Sequence, residues 1–290
     1  MIHQLKNETY IVEVKEHGAE LSSFRDTAHN LEYIWQADPT VWARHAPVLF
    51  PIVGKLPNGA YQWGGDTYKL PQHGIARDQN FKLEQQTKNT LTFALTSSEE
   101  TLAVYPFAFR LETNYRLAGN ALEITYTVQN TGNENMLFSI GAHPAFNCPL
   151  LPDEAFTDYY LEFDIPETLN RFLLLDGLQN GQTEAVLDNQ KILPLRYELF
   201  EKDAIVLKGL NSEKITLKTD KQTHGLAFEF KNYPYFGIWT KERGAPFICL
   251  EPWHGIASHV SDSGDLTQKE GIMNLPSNEK FTCAYTIRVF

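Results

Sequence analysis

The chain has 290 residues, 42% of them hydrophobic and 21% charged, with a net charge of −11. This is the composition of a folded globular protein, and no run approaches the ~18–20 consecutive apolar residues of a membrane-spanning helix. An acidic chain repels phosphate polymers, so nucleic acid is not an expected partner, and the composition and missing apolar run make a membrane equally unexpected. Residues 1–8 show no basic segment followed by an apolar run, and the start reads as mature sequence. Period-two alternation, the mark of strands with one buried face, begins at Tyr10, Val12 and Val14. It returns at Leu91, Phe93 and Leu95. Residues 99–104 carry the best helical periodicity, with Ser97 or Ser98 as N-cap and Pro106 as a stop, which predicts one short surface turn. Phe109, Leu111 and Tyr115 alternate with charged and polar residues, as do Leu122, Ile124, Tyr126 and Val128. Gly119-Asn120 between these two runs predicts a tight hairpin. Further alternation at Ile215 and Leu217, at Leu226, Phe228 and Phe230, and from Phe281 to Val289 carries the pattern to the C-terminus.

Without intervening helices a parallel βαβ sheet is excluded, which leaves an all-β, antiparallel sandwich or barrel. No linker or repeat divides residues 1–290, so one large β-sandwich domain is expected. Stretches rich in Pro, Asn and Gly at 54–59, 130–135, 176–183 and 261–278 are the predicted loops. Cys148, Cys249 and Cys283 have no short repeating spacing and form neither a disulfide framework nor a CxxC site, which suits a reducing, cytoplasmic setting.

Three segments place a titratable residue beside Gly or Pro: Pro71-Gln72-His73-Gly74, Gly141-Ala142-His143-Pro144 and Leu250-Glu251-Pro252-Trp253-His254-Gly255. Strand ends of this kind present side chains at a sheet edge or mouth. A single histidine beside glycine is most often a hydrogen-bonded loop residue, but two of them together with a glutamate favour acid–base chemistry. Glu251 follows Phe247 and Cys249 on one strand face, a placement that leaves it either exposed or desolvated. Desolvation would raise its pKa toward neutrality and make it a general base. Trp253 offers an aromatic wall suited to a sugar face.

The segments PQHGIARD, GAHPAFN and CLEPWHG resemble the three signature regions of the aldose 1-epimerase (galactose mutarotase-like) superfamily, and they occur in the family's order over essentially the whole chain. The resemblance is closer to the mutarotase-related branch near the hexose-6-phosphate 1-epimerases than to the galactose mutarotases proper. It implies a large antiparallel β-sandwich, the galactose mutarotase-like supersandwich, with a sugar site on its concave face. It also implies interconversion of the α and β anomers of a hexose or hexose phosphate by ring opening and closure, without cofactor. By position Glu251 would be the general base, His143 the general acid, and His73 a second histidine that bonds the sugar and shares the acid role. Arg77, at the spacing where the hexose-phosphate branch has an arginine, Arg44, Asp203 and Trp253 are the substrate-binding candidates. Lys55 stands where galactose mutarotases carry an Asn/Arg-containing loop; it is expected to be solvated, and galactose itself is then in doubt.

A non-catalytic carbohydrate-binding protein would need aromatic platforms such as Trp35, Trp42, Trp239 and Trp253 but not the acid–base trio. A glycoside hydrolase would need a second carboxylate flanking the bond. His73, His143, Glu251 and His254 lack local metal-ligand spacing, so no metal is expected. The expected partner is a small sugar or sugar phosphate, and the expected assembly a monomer or weak homodimer.

Overall fold

The computed structural model describes residues 1–241 and 243–290. Its largest sheet runs, neighbour by neighbour, through Val48–Leu49, Ile140–Ala142, Phe247–His254, Tyr235–Trp239, Ile205–Lys208, Tyr159–Leu175, Lys214–Thr219, Gly225–Phe230, Lys280–Val289, Ala121–Asn130, Phe109–Ala118, Thr90–Thr96 and Lys82–Gln86. Every paired strand is antiparallel. A four-stranded N-terminal sheet and two small ribbons complete the described architecture, so the all-β expectation holds. No helix among the described residues is long and apolar enough to cross a membrane.

Alternation becomes pairing where the sequence predicts it. Ala118 faces Ala121 across Gly119-Asn120, and the register continues to Phe109 opposite Asn130. Glu99–Leu102 is the one α-helix of the described residues. Ser98 caps it by accepting from the Thr101 N–H, while Thr101 Oγ1 accepts from the Ser98 N–H.

Residues 176–183, expected as a loop, are corrected by the structure. The turn is short, and Leu178–Pro194 is a seventeen-residue strand pairing with the equally long Tyr159–Leu175. The outer strand lies at an edge, off the main path of the sheet, and most of its side chains are exposed. Such a strand need not alternate, because neither face must be apolar to be buried.

One apolar cluster extends from Leu5 to Val289 and forms the main core, including Ile238, Ile248 and Leu250. The strand Phe247–His254 is buried along nearly its whole length, as it is packed on both faces. Ile248 and Leu250 enter the main core. On the other face Phe247 and Cys249 join a small cluster with Trp35 and Ala145, and Trp253 joins a second with Leu49, Val53 and Val206. Glu251 stands between these two apolar patches.

Candidate active site

Strand register brings the acid–base candidates together. Ala145 pairs with Cys249 and Gly141 with Trp253, so the same register sets His143 opposite Glu251. The ladder is interrupted there because Pro144 has no N–H to donate, although its carbonyl still accepts from the Leu250 N–H at 3.2 Å. In the gap, His143 Nε2 lies 3.2 Å from Glu251 Oε2.

His73 arrives from a loop fastened to the segment after Val48–Leu49. Its N–H donates to the Gly54 carbonyl at 2.9 Å, and its Nδ1 accepts from the Gly54 N–H at 3.2 Å. The neutral ring therefore carries its proton on Nε2, 3.3 Å from the Gln72 amide, whose oxygen is the natural acceptor when turned toward it. His73 has a left-handed backbone at φ +67°, a conformation costing about 1–3 kcal/mol that surrounding structure must hold in place. The next residue can only be glycine: Gly74 has φ +73°, and a Cβ there would sit 2.3 Å from the Phe50 carbonyl oxygen. The rings of His73 and His143 meet edge to face at 5.6 Å.

Aromatic side chains enclose His143. Trp42 stacks on it at 5.1 Å and 27°, and Trp239 meets it edge-on at 5.6 Å. Together with His73, Arg77, Asp203, Glu251 and Trp253 they line a cavity of about 260 Å³, walled also by Leu174, Val206 and Ile256. Trp253 fits against the sheet because its neighbour is glycine: a Cβ on Gly237 would meet the indole at 2.5 Å.

Burial dominates the electrostatics. Glu251 is 2% exposed, and its carboxyl is pushed well above the usual range by desolvation and by the Asp203 carboxylate. The Trp253 indole N–H, close enough to work against that rise, is aligned to no acceptor among the described residues. His143 is pushed down to about 3, chiefly by burial, with Arg77 and Arg44 adding to the shift. His73 is also lowered well below its ordinary value, by burial and then by His143 and the two arginines. Asp203 sits at the mouth with φ +72°, its carboxylate accepting from the Ala204 N–H at 2.7 Å.

Arg77 lines the cavity and donates to the Gln72 carbonyl at 2.7 Å, while its buried Nε makes no hydrogen bond among the described residues and lies 3.8 Å from the Asp78 carboxylate. Its pKa is lowered to about 10 by burial and by Arg44, which leaves it charged at neutrality. Arg44, expected to bind substrate, is not among the lining residues; it pairs with Asp78 at 2.9 Å and acts on the site through its charge. Lys55, expected to be solvated, is half-buried and bonds the Asp176 carbonyl at 2.9 Å, tying down the turn beside Gly177. His254, weighed as a ligand, points to the opposite face of its strand, against Tyr233 and Phe281.

The sequence did not single out Gln72, Leu174, Val206 or Ile256, which lack chemical signatures of their own; Gln72 could have been found as the neighbour of His73. Cys249, placed by the sequence on the strand face of Glu251, was given no role there. Its sulfur, a His143 ring nitrogen and a Glu251 oxygen all lie within 4.8 Å of one another, the one donor set among the described residues compact enough to hold a metal.

The aldose 1-epimerase family profile matches residues 1–274. The chain is 37% identical over 301 residues to the chromosomal protein LacX of Lactococcus lactis subsp. lactis, covering 100% of this chain and 99% of that protein. It superposes on the structure of a galactose mutarotase related enzyme from Lactobacillus acidophilus with a TM-score of 0.96 at 35% identity, covering 100% and 97% of the two chains. A galactose mutarotase-like protein from Lactobacillus casei ATCC 334 gives a TM-score of 0.94 at 33% identity, with both chains fully covered. With its fold, its signature segments and these relatives in agreement, the chain belongs to the aldose 1-epimerase family.

Proposed function

We propose that the protein is an aldose 1-epimerase that interconverts the α and β anomers of a hexose or hexose phosphate, with Glu251 as general base and His143 as general acid. The observation that carries this reading is the buried His143–Glu251 pair, 3.2 Å apart at the wall of a cavity of about 260 Å³. Glu251 takes the proton of the anomeric hydroxyl, the C1–O1 bond gains double-bond character, and the C1–O5 bond breaks. His143 delivers a proton to O5 as it leaves. Rotation about C1–C2 turns the other face of the aldehyde toward O5, and closure reverses both transfers.

The pair needs to hold only one proton between its two members. Burial disfavours the charged form of each group, so the dry cavity favours the proton on Glu251 with His143 neutral. That is the arrangement reached when the ring has opened. His73 has its one proton on Nε2, which a sugar oxygen would accept in place of the Gln72 amide, and Trp253 and Trp239 give the sugar ring a flat apolar surface. A purely sugar-binding role would leave this paired acid and base without a task.

Glu251→Gln tests the assignment, since it keeps size and hydrogen bonding but removes the base. Magnetisation transfer between the anomeric protons should fall by about 10²–10⁴-fold, while sugar binding measured by calorimetry persists. Undiminished exchange in that variant would remove Glu251 from the mechanism.

A further inference from the structure

We propose that His143, Cys249 and Glu251 form a binding site for a divalent cation of the zinc class, and that its occupation reversibly closes the cavity to sugar. Cys249 and Glu251 are two residues apart on one face of Phe247–His254, and the interrupted ladder brings His143 across to them. One nitrogen, one sulfur and one carboxylate oxygen within 4.8 Å of each other are the donors zinc takes, with a fourth position left for water from the cavity.

Donor type and charge narrow the occupant. Calcium and magnesium call for about six or more oxygen ligands, which three mixed donors cannot supply. A divalent ion between a thiolate, a carboxylate and a neutral imidazole is electrically balanced, as the apolar surroundings of Cys249 require. Binding forms the metal–sulfur bond and releases the thiol proton to solvent; any proton held between His143 and Glu251 leaves with it. Atoms bound to one zinc at ~2.0–2.3 Å stand ~3.3–3.8 Å apart, so the cluster closes by a side-chain movement of about an ångström.

His143 Nδ1 explains why the site is reversible. It is buried and has no acceptor among the described residues, whereas a resident metal site anchors the second imidazole nitrogen. Loss of such an anchor costs roughly 10–100-fold in affinity. The cation therefore competes with the sugar for the acid–base pair and plays no part in turnover.

Cobalt(II) titration of the metal-free, full-length protein reads occupancy without reference to activity, so its failure is separate from any failure of the epimerase reading. One cobalt per chain should bind with a thiolate-to-cobalt charge-transfer band, and zinc should displace it. Cys249→Ser and Cys249→Ala, confirmed as folded by circular dichroism, should both lose the band, and Glu251→Gln should bind more than tenfold more weakly. Zinc should slow anomer exchange in the parent protein and not in the Cys249 variants, each compared with its own metal-free rate. No charge-transfer band in the parent, or a band that survives in both Cys249 variants, overturns the proposal.

Discussion

Glu251 and Arg77 carry the two kinds of charge that the cavity handles. Arg77 keeps its charge, has a buried Nε that makes no hydrogen bond among the described residues, and shares with Arg44 the nearby carboxylate of Asp78. The rigid fork of donors on the Arg77 guanidinium, its Nε still unbonded, suits a phosphate. Arg77→Ala should therefore weaken hexose 6-phosphate binding at least tenfold more than binding of the free hexose. Equal losses, measured by calorimetry on both sugars, would remove a phosphate from the role of Arg77. At this scale the sequence was legible where chemistry and backbone coincide. His73 precedes a glycine that must be left-handed, His143 precedes a proline that opens the ladder, and Glu251 ends an apolar face. Arg44 and His254 sat in equally suggestive sequence, but their direction depends on loop path and strand phase relative to the cavity, which a local motif does not contain.

At the scale of elements, the site depends on three adjacent strands, Ile140–Ala142, Phe247–His254 and Tyr235–Trp239, keeping a common register. Gly237 pairs with Glu251, and a Cβ there would meet Trp253 at 2.5 Å and the Glu251 Cβ at 3.3 Å. Gly237→Ala should cost about 1–3 kcal/mol by overpacking and slow anomer exchange by about 100-fold through displacement of the neighbouring base and wall. Denaturant unfolding and exchange rates on the same preparation check both; unchanged stability would show that Trp253 has room to move. Alternation revealed the strands with one wet face, such as Phe109–Ala118 and Ala121–Asn130. The edge strand Leu178–Pro194 was hidden because its side chains are mostly solvated, whereas the strand through Phe247 and Glu251 was legible although both of its faces are buried. Gly237 had no visible role until its cross-strand neighbour was known.

For the whole molecule, the cost of keeping titratable groups dry should appear as a pH dependence of stability. His143 and His254 are depressed to about 3 and about 4, and His73 is lowered as well. The unfolded chain takes up protons at these histidines below about pH 6.5 while the native protein does not. Their contribution is full above that pH and is lost as the pH falls toward 4, at about 1.4 kcal/mol per pH unit for each proton. Glu251 has the opposite sign. Its folded value is raised, so its contribution is full below about pH 4.5 and is lost as the pH rises through the folded value. Stability should thus fall on the acid side as the histidines protonate and on the alkaline side as Glu251 ionises, and Glu251→Gln should flatten the alkaline decline. Urea unfolding as a function of pH reads both effects, and an unchanged alkaline decline in the variant would assign it to other groups.

Catalysis of anomer interchange is tested most directly by polarimetry of freshly dissolved α-glucose, α-galactose and α-glucose 6-phosphate, with and without protein. The arrangement of Glu251, His143 and His73 calls for acceleration of at least one of the three beyond its spontaneous rate, in proportion to protein concentration. Spontaneous rates for all three, with sugar binding still detectable, would contradict catalysis and leave a protein that binds sugars without converting them.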